Sequence, residues 1–145
     1  MAVLLDTNIL LRLAQPNHLS ALTARRALRT LREANETLHI VHQNLVEFWA
    51  VTTRPVTANG LGFSTAEAAA EIVSLQHLFS LLPELPLHDT WARLVNDYRV
   101  SGKNAHDARL VAAMIVHGIT GILTFNVQDF ARYDRIRVLD ATNVT

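Results

Sequence analysis

The segment AVLLDTNILLRL, residues 2–13, gives the strongest indication of the fold. Its opening residues are apolar and β-capable, so they predict a short strand at Ala2–Leu5. Three polar residues follow, and the next part of the segment predicts a helix from about Thr7 to Ala14, which Pro16 ends. A short apolar strand that passes directly into a helix is typical of α/β proteins.

The rest of the chain repeats this alternation of short strands and helices. Further strands are predicted at Leu38–Val41, Leu81–Leu82, Ile122–Phe125 and Arg137–Leu139. Helices are predicted at about Leu19–Ala34, Gln43–Thr53, Ser64–Phe79 and Asp89–Val100, and from the loop Ser101–Asn104 to His117. This order predicts a parallel sheet that helices cover on both faces. We expect one domain over residues 1–145, because this length fits a single core.

Composition narrows the classes of function. Half of the residues are apolar, 18% are charged and the net charge is zero. A protein that binds nucleic acid only by covering phosphate with positive charge is therefore disfavoured. Because there is no cysteine, disulfides and thiolate metal sites are excluded. No apolar run reaches the length of a membrane span, and the first residues do not resemble a signal peptide, so we expect a cytoplasmic protein.

Acidic and amide side chains fall where the predicted strands end or helices begin. Asp6 directly follows the first strand, and Glu47 lies in the first turns of the helix after the second strand. Asp107 opens a later helix, while Asn126 and Asp129 follow the strand Ile122–Phe125. Because the carboxyl ends of parallel strands form the ligand crevice of open α/β sheets, we expect these side chains to converge.

A cluster of carboxylates has a direct chemical explanation. Hard divalent cations such as Mg²⁺ prefer carboxylate oxygen and keep several waters. Two such ions roughly 4 Å apart activate water and stabilise the leaving oxygen of a phosphodiester. Without a cation the clustered charges would repel one another and some would take up protons. The acids therefore predict metal-dependent cleavage of a phosphodiester.

Helix capping is the alternative explanation for the same acids. Glu47, Asp107 and Asp129 each stand three residues after an asparagine, which is the spacing of an N-cap and an acid in the first turn. Asp6 is also placed to cap the helix that follows it. A capping acid keeps a free oxygen for a metal, so the sequence leaves both interpretations open.

Four segments of the chain resemble the motifs of PIN-domain nucleases in the same order. They are LLDTNILL at 4–11, NLVEFW at 44–49, HDARLVA at 106–112 and LTFNVQDF at 123–130. The length of the chain further resembles the VapC-type toxins of type II toxin–antitoxin pairs. The resemblance implies a three-layer α/β/α sandwich with a central, mostly parallel sheet. It also implies an endoribonuclease that uses Mg²⁺, or Mn²⁺ as a substitute, and that forms a homodimer held inactive by a cognate antitoxin.

The same resemblance assigns roles to individual residues. It implies that Asp6, Glu47 and Asp107 are catalytic carboxylates at the metal site, with Thr7 and Thr124 as supporting hydroxyl groups. The expected products are a 5′-phosphate and a 3′-hydroxyl, because water is the nucleophile.

The fourth acidic position departs from the common pattern of the family. Relatives often carry an acid where this chain has Asn126, and an amide binds metal less strongly than a carboxylate. The fourth role then falls either to Asp129, which we take as the fourth catalytic carboxylate, or to Asn126 as a supporting residue. The number of metal ions, one or two, stays open.

Three other functions compete with that of a metal-dependent ribonuclease. A non-catalytic PIN-fold module that binds RNA or protein would not need three intact acids. A phosphoacceptor or phosphatase domain would use Asp6 but leave the other acids without a role. A metal-free ribonuclease would need a pair of histidines; His39 and His42 flank a predicted strand end, and His106 adjoins Asp107.

Three groups of surface residues are candidates for contact with binding partners. Arg25, Arg29 and Arg32 recur at helical spacing and face either solvent, RNA phosphate or an acidic partner. Lys103 and Arg109 flank Asp107 and are candidates for phosphate. The predicted helix over 66–79 is apolar around more of its surface than one core stripe needs, which fits an antitoxin or a second subunit.

Overall fold

The computed structural model describes residues 1–144. Within them, the strands are Ala2–Leu5 (β1), Thr37–Ile40 (β2), Ser80–Leu81 (β3), Gly121–Thr124 (β4) and Arg137–Asp140 (β5). The α-helices are Thr7–Leu13 (α1), Ala21–Glu33 (α2), His42–Thr53 (α3), Thr65–Leu78 (α4), His88–Asp97 (α5), Asn104–His117 (α6) and Val127–Phe130 (α7), and a 3₁₀ helix covers Val56–Ala58. The predicted elements are present, with ends displaced by a few residues; α5, for example, ends before Val100.

The strands form one sheet in the order β3-β2-β1-β4-β5, and every pairing among the described strands is parallel. The strand β1 lies at the centre, where Leu4 pairs with His39 of β2 on one side and Ile122 of β4 on the other. The chain adds β2 and β3 on one side of β1, then β4 and β5 on the other. This reversal opens a crevice at the carboxyl ends of β1 and β4, where α/β folds bind ligands.

Two hydrophobic clusters cover opposite faces of the sheet. Val3 and Leu5 point into a cluster with buried residues of α1, α2, α3 and α4. Leu4 points to the other face, where it packs with α5 and α6. This alternation follows from the two-residue period of a strand, and it explains why β1 is apolar at every position. The expected three-layer α/β/α sandwich is confirmed.

Local sequence signals set several helix ends. Ser64 and Glu67 form the predicted capping box at the start of α4, with both hydrogen bonds 3.0 Å long. The helix α6 ends at Gly118, whose φ of 69° is a left-handed conformation that glycine adopts without strain. None of the helices across residues 1–144 has the length and apolarity that a membrane crossing needs.

Candidate active site

Asp6 lies at the carboxyl end of β1, in the crevice between β1 and β4. Its backbone N–H donates to the carbonyl of Leu123 at 3.0 Å, which continues the pairing with β4. Its carboxylate is the N-cap of α1, because Oδ1 accepts from the Thr7 backbone N–H at 2.8 Å. The other oxygen, Oδ2, accepts from Thr124 Oγ1 at 2.7 Å. The predicted cap and the predicted place in the crevice are thus both present at Asp6.

Thr124 is fully buried at the end of β4 and connects several groups of the site. While its hydroxyl donates to Asp6, its oxygen accepts from the backbone N–H of Asn126 at 2.9 Å and from Asn8 Nδ2 at 3.3 Å. Asn8 in turn accepts from the Phe125 backbone N–H at 3.4 Å. This set of bonds fixes the Asp6 side chain and holds the two strand ends together.

Glu47 reaches the site from α3 through Thr7. Thr7 Oγ1 donates to Glu47 Oε1 at 2.8 Å, and the second oxygen of this carboxylate, Oε2, takes no part in that hydrogen bond. The same threonine oxygen accepts from Asn44 Nδ2 at 3.1 Å. Thr7 therefore sits between Asp6, its neighbour in sequence, and Glu47, which is 40 residues away along the chain.

Asn44 has a different role from the helix cap that the spacing allowed. Val41 is the N-cap residue of α3, and Asn44 lies in the first turn, fully buried. Its Oδ1 accepts from the Val41 backbone N–H at 2.8 Å, and its Nδ2 donates to the Leu5 carbonyl at 3.0 Å. Capping by Asn44 therefore does not account for Glu47, because α3 begins three residues earlier than that explanation needs.

Asp107 enters the crevice from the first turn of α6. Its side chain forms no hydrogen bond or ion pair with any of residues 1–144. The pKa of Asp107 is raised from 3.8 to about 7, chiefly by burial and also by the charges of Asp6, Asp129 and Glu47, while Lys103 opposes the shift. The influence of these charges on Asp107 indicates that Asp6, Glu47 and Asp129 lie within electrostatic range of it.

The pKa of Asp6 is also raised, and this side chain is more buried than that of Asp107. The pKa of Asp6 is raised from 3.8 to about 6, chiefly by burial and to a smaller extent by the charges of Glu47 and Asp129. The hydrogen bonds from Thr124 and Thr7 oppose this shift. Two acids in one crevice are therefore held partly against ionisation, which is the condition that a bound cation relieves.

Asp129, rather than Asn126, adds negative charge to the crevice. Asn126 is exposed and meets Thr124 through its backbone N–H, whereas Asp129 is half-buried and raises the pKa of both Asp6 and Asp107. Asn126 occupies the N-cap position of α7 without a capping bond from its side chain to residues 1–144. The choice that the sequence left open between these two residues therefore favours Asp129 on electrostatic grounds.

The donor set fits a hydrated divalent ion. Carboxylate and hydroxyl oxygens are the ligands that Mg²⁺ prefers, and this ion commonly takes one or two carboxylates while waters complete its shell. Over residues 1–144, no three acidic or histidine side chains are close enough to enclose a metal by themselves. The crevice thus suits an ion that keeps several waters and does not suit a closed protein cage. Asp6 and Asp107 would hold it, with Glu47 in contact with its water.

The basic residues and histidines beside Asp107 differ in what they contact. Arg109, which the sequence offered as a phosphate ligand, instead contacts Gln43 at 3.0 Å and Glu84 at 3.3 Å. Lys103 is exposed and lines a cleft with residues 125–129, so it stays available for phosphate. His42 faces Glu84 and His39 contacts Thr37, so these contacts do not join the two as the histidine pair that a metal-free ribonuclease would need.

Sequence reasoning missed three amides at this site, namely Asn8, Gln43 and Asn44. Asn8 and Asn44 lie inside the motifs at 4–11 and 44–49, so their positions in those motifs carried a signal. Their hydrogen bonds join segments far apart in the chain, which a local pattern does not predict. Gln43 stands next to the second motif and carried no such signal.

The sequence profile of the PIN domain matches residues 3–136, so this chain belongs to the PIN domain family. The fold is similar to a chain of VapBC2 from Rickettsia felis, solved with a DNA fragment from the promoter, with a TM-score of 0.74 and 14% identity over 97% of this chain and 98% of that one. It is also similar to a chain of VapBC-1 from nontypeable Haemophilus influenzae, with a TM-score of 0.69 and 19% identity over 99% and 100% of the two chains.

A third similar structure is PAE2754 from Pyrobaculum aerophilum, with a TM-score of 0.60 and 18% identity over 95% of this chain and 89% of that one. No curated protein matches the chain in sequence. The predicted membership in the PIN family is confirmed, and the similarity in fold to VapBC chains agrees with the predicted VapC-type resemblance.

Proposed function

We propose that this chain is a Mg²⁺-dependent endoribonuclease that acts as the toxin of a toxin–antitoxin pair. The observation that carries the proposal is the convergence of Asp6, Glu47, Asp107 and Asp129 on one crevice, where no cationic side chain forms an ion pair with any of them within residues 1–144. Such a cluster is costly without a cation, because like charges and burial both oppose ionisation. Membership in the PIN family supports a nuclease as the class of enzyme.

Each side chain has a definite task in this proposal. A bound Mg²⁺ supplies an activated water and stabilises charge on the scissile phosphate. Asp6, held by Thr7 and Thr124, would give the ion a fixed ligand, and Asp107, in the first turn of α6, would give a second one. Glu47 directs its free oxygen to water and accepts a proton. The products carry 5′-phosphate and 3′-hydroxyl ends, and Mn²⁺ substitutes for Mg²⁺ because it shares the preference for carboxylate oxygen.

Cleavage of RNA by the purified protein tests the proposal. We expect labelled RNA to be cut with Mg²⁺ or Mn²⁺ and to stay intact with EDTA, and we expect Asp6→Asn to abolish cutting. The matched control is Asp97→Asn, which removes an exposed acid at the end of α5 and should cut at the wild-type rate. If Asp6→Asn protein cuts as fast as the control, the assignment of the site is wrong. A folded wild-type protein that binds RNA and never cuts it would instead be the non-catalytic module.

An antitoxin is the proposed protein partner, and a groove between α2 and the end of α4 is a suitable surface for it. Leu13, Leu28 and Phe79 form its apolar part, while Arg25 and Arg29 supply positive charge. The guanidinium carbon of Arg32 lies 5.3 Å from the centre of the Phe79 ring, and Nη2 donates to the Leu78 carbonyl at 2.9 Å. Arg32 is therefore already held in place. The surface fits an antitoxin segment that combines acidic and apolar residues.

Expression of the chain in a bacterial host tests the toxin role and the partner. We expect growth arrest, relief by the product of a neighbouring gene, and weaker relief after the charge reversal Arg25→Glu with Arg29→Glu. Unaltered growth at full expression of active protein would contradict the toxin role.

We also propose a homodimer and a cytoplasmic location. Light scattering should give twice the chain mass of 16.1 kDa, and a mass of one chain would contradict the dimer.

A further inference from the structure

We propose that Gln43 is a positioning residue that holds Asp107 in the acid crevice by joining the first turn of α6 to the first turn of α3. The inference rests on the proposed function, because it concerns the affinity of the same site for a divalent cation. Gln43 is itself outside the crevice chemistry, since its contacts are with the backbone of α6 and with Arg109.

The Gln43 amide donates to the residue directly before Asp107. Gln43 Nε2 lies 2.7 Å from the carbonyl oxygen of His106, and the glutamine side chain is buried, with 8% of its surface exposed. A buried amide that loses its hydrogen-bond partner is destabilising, so the contact resists separation of the two helices. The position of the Asp107 backbone is therefore tied to α3.

Arg109 fixes the orientation of the Gln43 amide. Arg109 Nη1 donates to Gln43 Oε1 at 3.0 Å, and a guanidinium has donors only, so the amide oxygen must face it. The amide nitrogen is then left to face His106. Glu84 holds the other side of Arg109, with Nη2 at 3.3 Å from Glu84 Oε1, and Glu84 is itself half-exposed. The chain of contacts runs from the surface to the residue before Asp107.

Asp107 depends on such a contact because its own side chain has none within residues 1–144. Three nearby carboxylates repel it, and Lys103, the N-cap residue of α6, gives no capping bond from its side chain to the described residues. Gln43 and Glu47 are one turn apart on α3, so they lie on the same side of that helix. A contact at Gln43 thereby sets the separation between Glu47 and Asp107.

The first test compares Gln43→Met with Thr52→Val in the full chain. Methionine keeps the length of the side chain and removes both amide contacts. The control Thr52→Val removes a buried hydrogen bond on the same helix, from Thr52 Oγ1 to the Phe48 carbonyl at 2.8 Å, away from α6. We expect Gln43→Met to weaken the calorimetric Kd for Mn²⁺ about tenfold, in the range seen for residues that orient metal ligands, and Thr52→Val to leave it unchanged.

Cleavage kinetics separate positioning from general loss of structure. For Gln43→Met we expect the Mg²⁺ concentration for half-maximal rate to rise about tenfold, while the rate at saturating Mg²⁺ stays near that of the wild type. A loosened fold would lower the rate at every Mg²⁺ concentration. Glu84→Gln weakens the contact between Glu84 and Arg109, which is the most distant one from Asp107, and should give a smaller rise in that Mg²⁺ concentration. A Gln43→Met protein with the wild-type Kd and Mg²⁺ dependence would overturn the proposal.

Hydrogen exchange in the metal-free protein keeps this inference separate from the proposed function. We expect the backbone amides of residues 107–110 to exchange faster in Gln43→Met, and those of α2 to be unchanged. If the wild type bound no Mn²⁺, the proposed function would fail, while faster exchange in Gln43→Met would still show the contact between α3 and α6. Unchanged exchange at 107–110 would refute the role of Gln43 whatever the metal result.

Discussion

Asp6 and Asp107 face the same crevice but are held in different ways. Asp6 accepts one hydrogen bond on each carboxylate oxygen, from Thr7 and Thr124, while Asp107 is positioned only through its backbone. Asp6 is more buried, yet its pKa of about 6 is lower than the value of about 7 for Asp107. Donors aimed at the charged form therefore offset the cost of burial at Asp6.

Under the proposed function, this difference would make Asp6 a fixed metal ligand and Asp107 an adjustable one. Because Asp6 is built into the junction of β1 and β4, any change in its length must disturb both strands. Asp107 lies in the first turn of α6, is half-buried, and accepts no hydrogen bond on its side chain from residues 1–144. We expect substitutions to separate these two behaviours, and the following predictions run from the largest expected effect to the smallest.

Lengthening each acid by one methylene should affect the two positions unequally. We expect Asp6→Glu to lose more than about 100-fold in cleavage rate, because no space or donor geometry remains for the longer side chain; this exceeds the loss typical of residues that only orient a ligand. Asp107→Glu should stay within about tenfold of the wild type. Initial rates on one RNA at saturating Mg²⁺ measure both. Equal losses of cleavage rate in Asp6→Glu and Asp107→Glu would contradict the difference in how the two acids are held.

Removal of the Thr124 hydroxyl tests what holds Asp6. Thr124→Val leaves Asp6 Oδ2 without its donor and the Asn126 N–H without its acceptor, so we expect unfolding free energy to fall by about 1–3 kcal/mol. Thr124→Ser retains the hydroxyl and is the matched control, with a smaller loss. Urea unfolding at neutral pH gives both values. If valine and serine gave the same stability, the hydrogen bond to Asp6 would contribute nothing.

Neutralising Asp107 should stabilise the metal-free protein at high pH. The folded pKa of about 7 is above the ordinary 3.8, so the folded state holds the proton more tightly and the wild type loses stability as pH rises between these values. Asp107→Asn cannot ionise and avoids this loss. We expect a gain of about 1–2 kcal/mol at about pH 8 and none at about pH 3, after allowance for solvent screening.

Chemical denaturation in EDTA across this pH range measures the effect. Mg²⁺ should reverse the stability advantage of Asp107→Asn, because the wild type gains stability from the cation and the Asp107→Asn protein gains less. The control Asp97→Asn should show no difference from the wild type that depends on pH in this interval. A stabilisation by Asp107→Asn that is constant from acid to alkaline pH would show that charge repulsion is not its cause.

Lys103 should have the smallest effect of the residues considered. Its positive charge lowers the pKa of Asp107 against the effects of burial and the neighbouring acids. We therefore expect Lys103→Gln to raise the pKa of Asp107 by a fraction of a unit, since an exposed charge is screened by water and salt. Carbon-13 NMR titration of the Asp107 carboxyl group in EDTA measures this shift. A fall in the pKa after Lys103→Gln would contradict the charge effect.

The periodicity of apolar residues in the sequence was sufficient to predict the layers of the fold. Continuous apolar runs such as Ala2–Leu5 indicated strands buried on both faces, and the alternation with helices indicated parallel pairing. The strand order around β1 did not follow from any local signal, since it depends on which faces pack best after the chain folds. The end of α5 was also missed, because the pattern that includes Tyr98 continues past the last helical residue, Asp97.

The acids of the candidate site could be predicted from the sequence, whereas the residues whose hydrogen bonds hold the site together could not. The positions of Asp6 and Asp107 beside predicted element ends carried a clear chemical signal. The roles of Asn44 and Gln43 did not, because each depends on a contact with a segment about 40 or more residues away. Arg109 illustrates the same limit, since a charged residue next to Asp107 turned out to face Gln43 and Glu84.

The two-residue strand β3 has a consequence for how copies of this protein behave at high concentration. It forms one outer border of the sheet, and Pro83 and Pro86 follow it closely. A border this short offers few free backbone groups to a strand of another molecule, and proline lacks the N–H that further pairing would need. The sheet is thereby protected on this side from growing by strand addition, so a chain rich in apolar residues is shielded against aggregation.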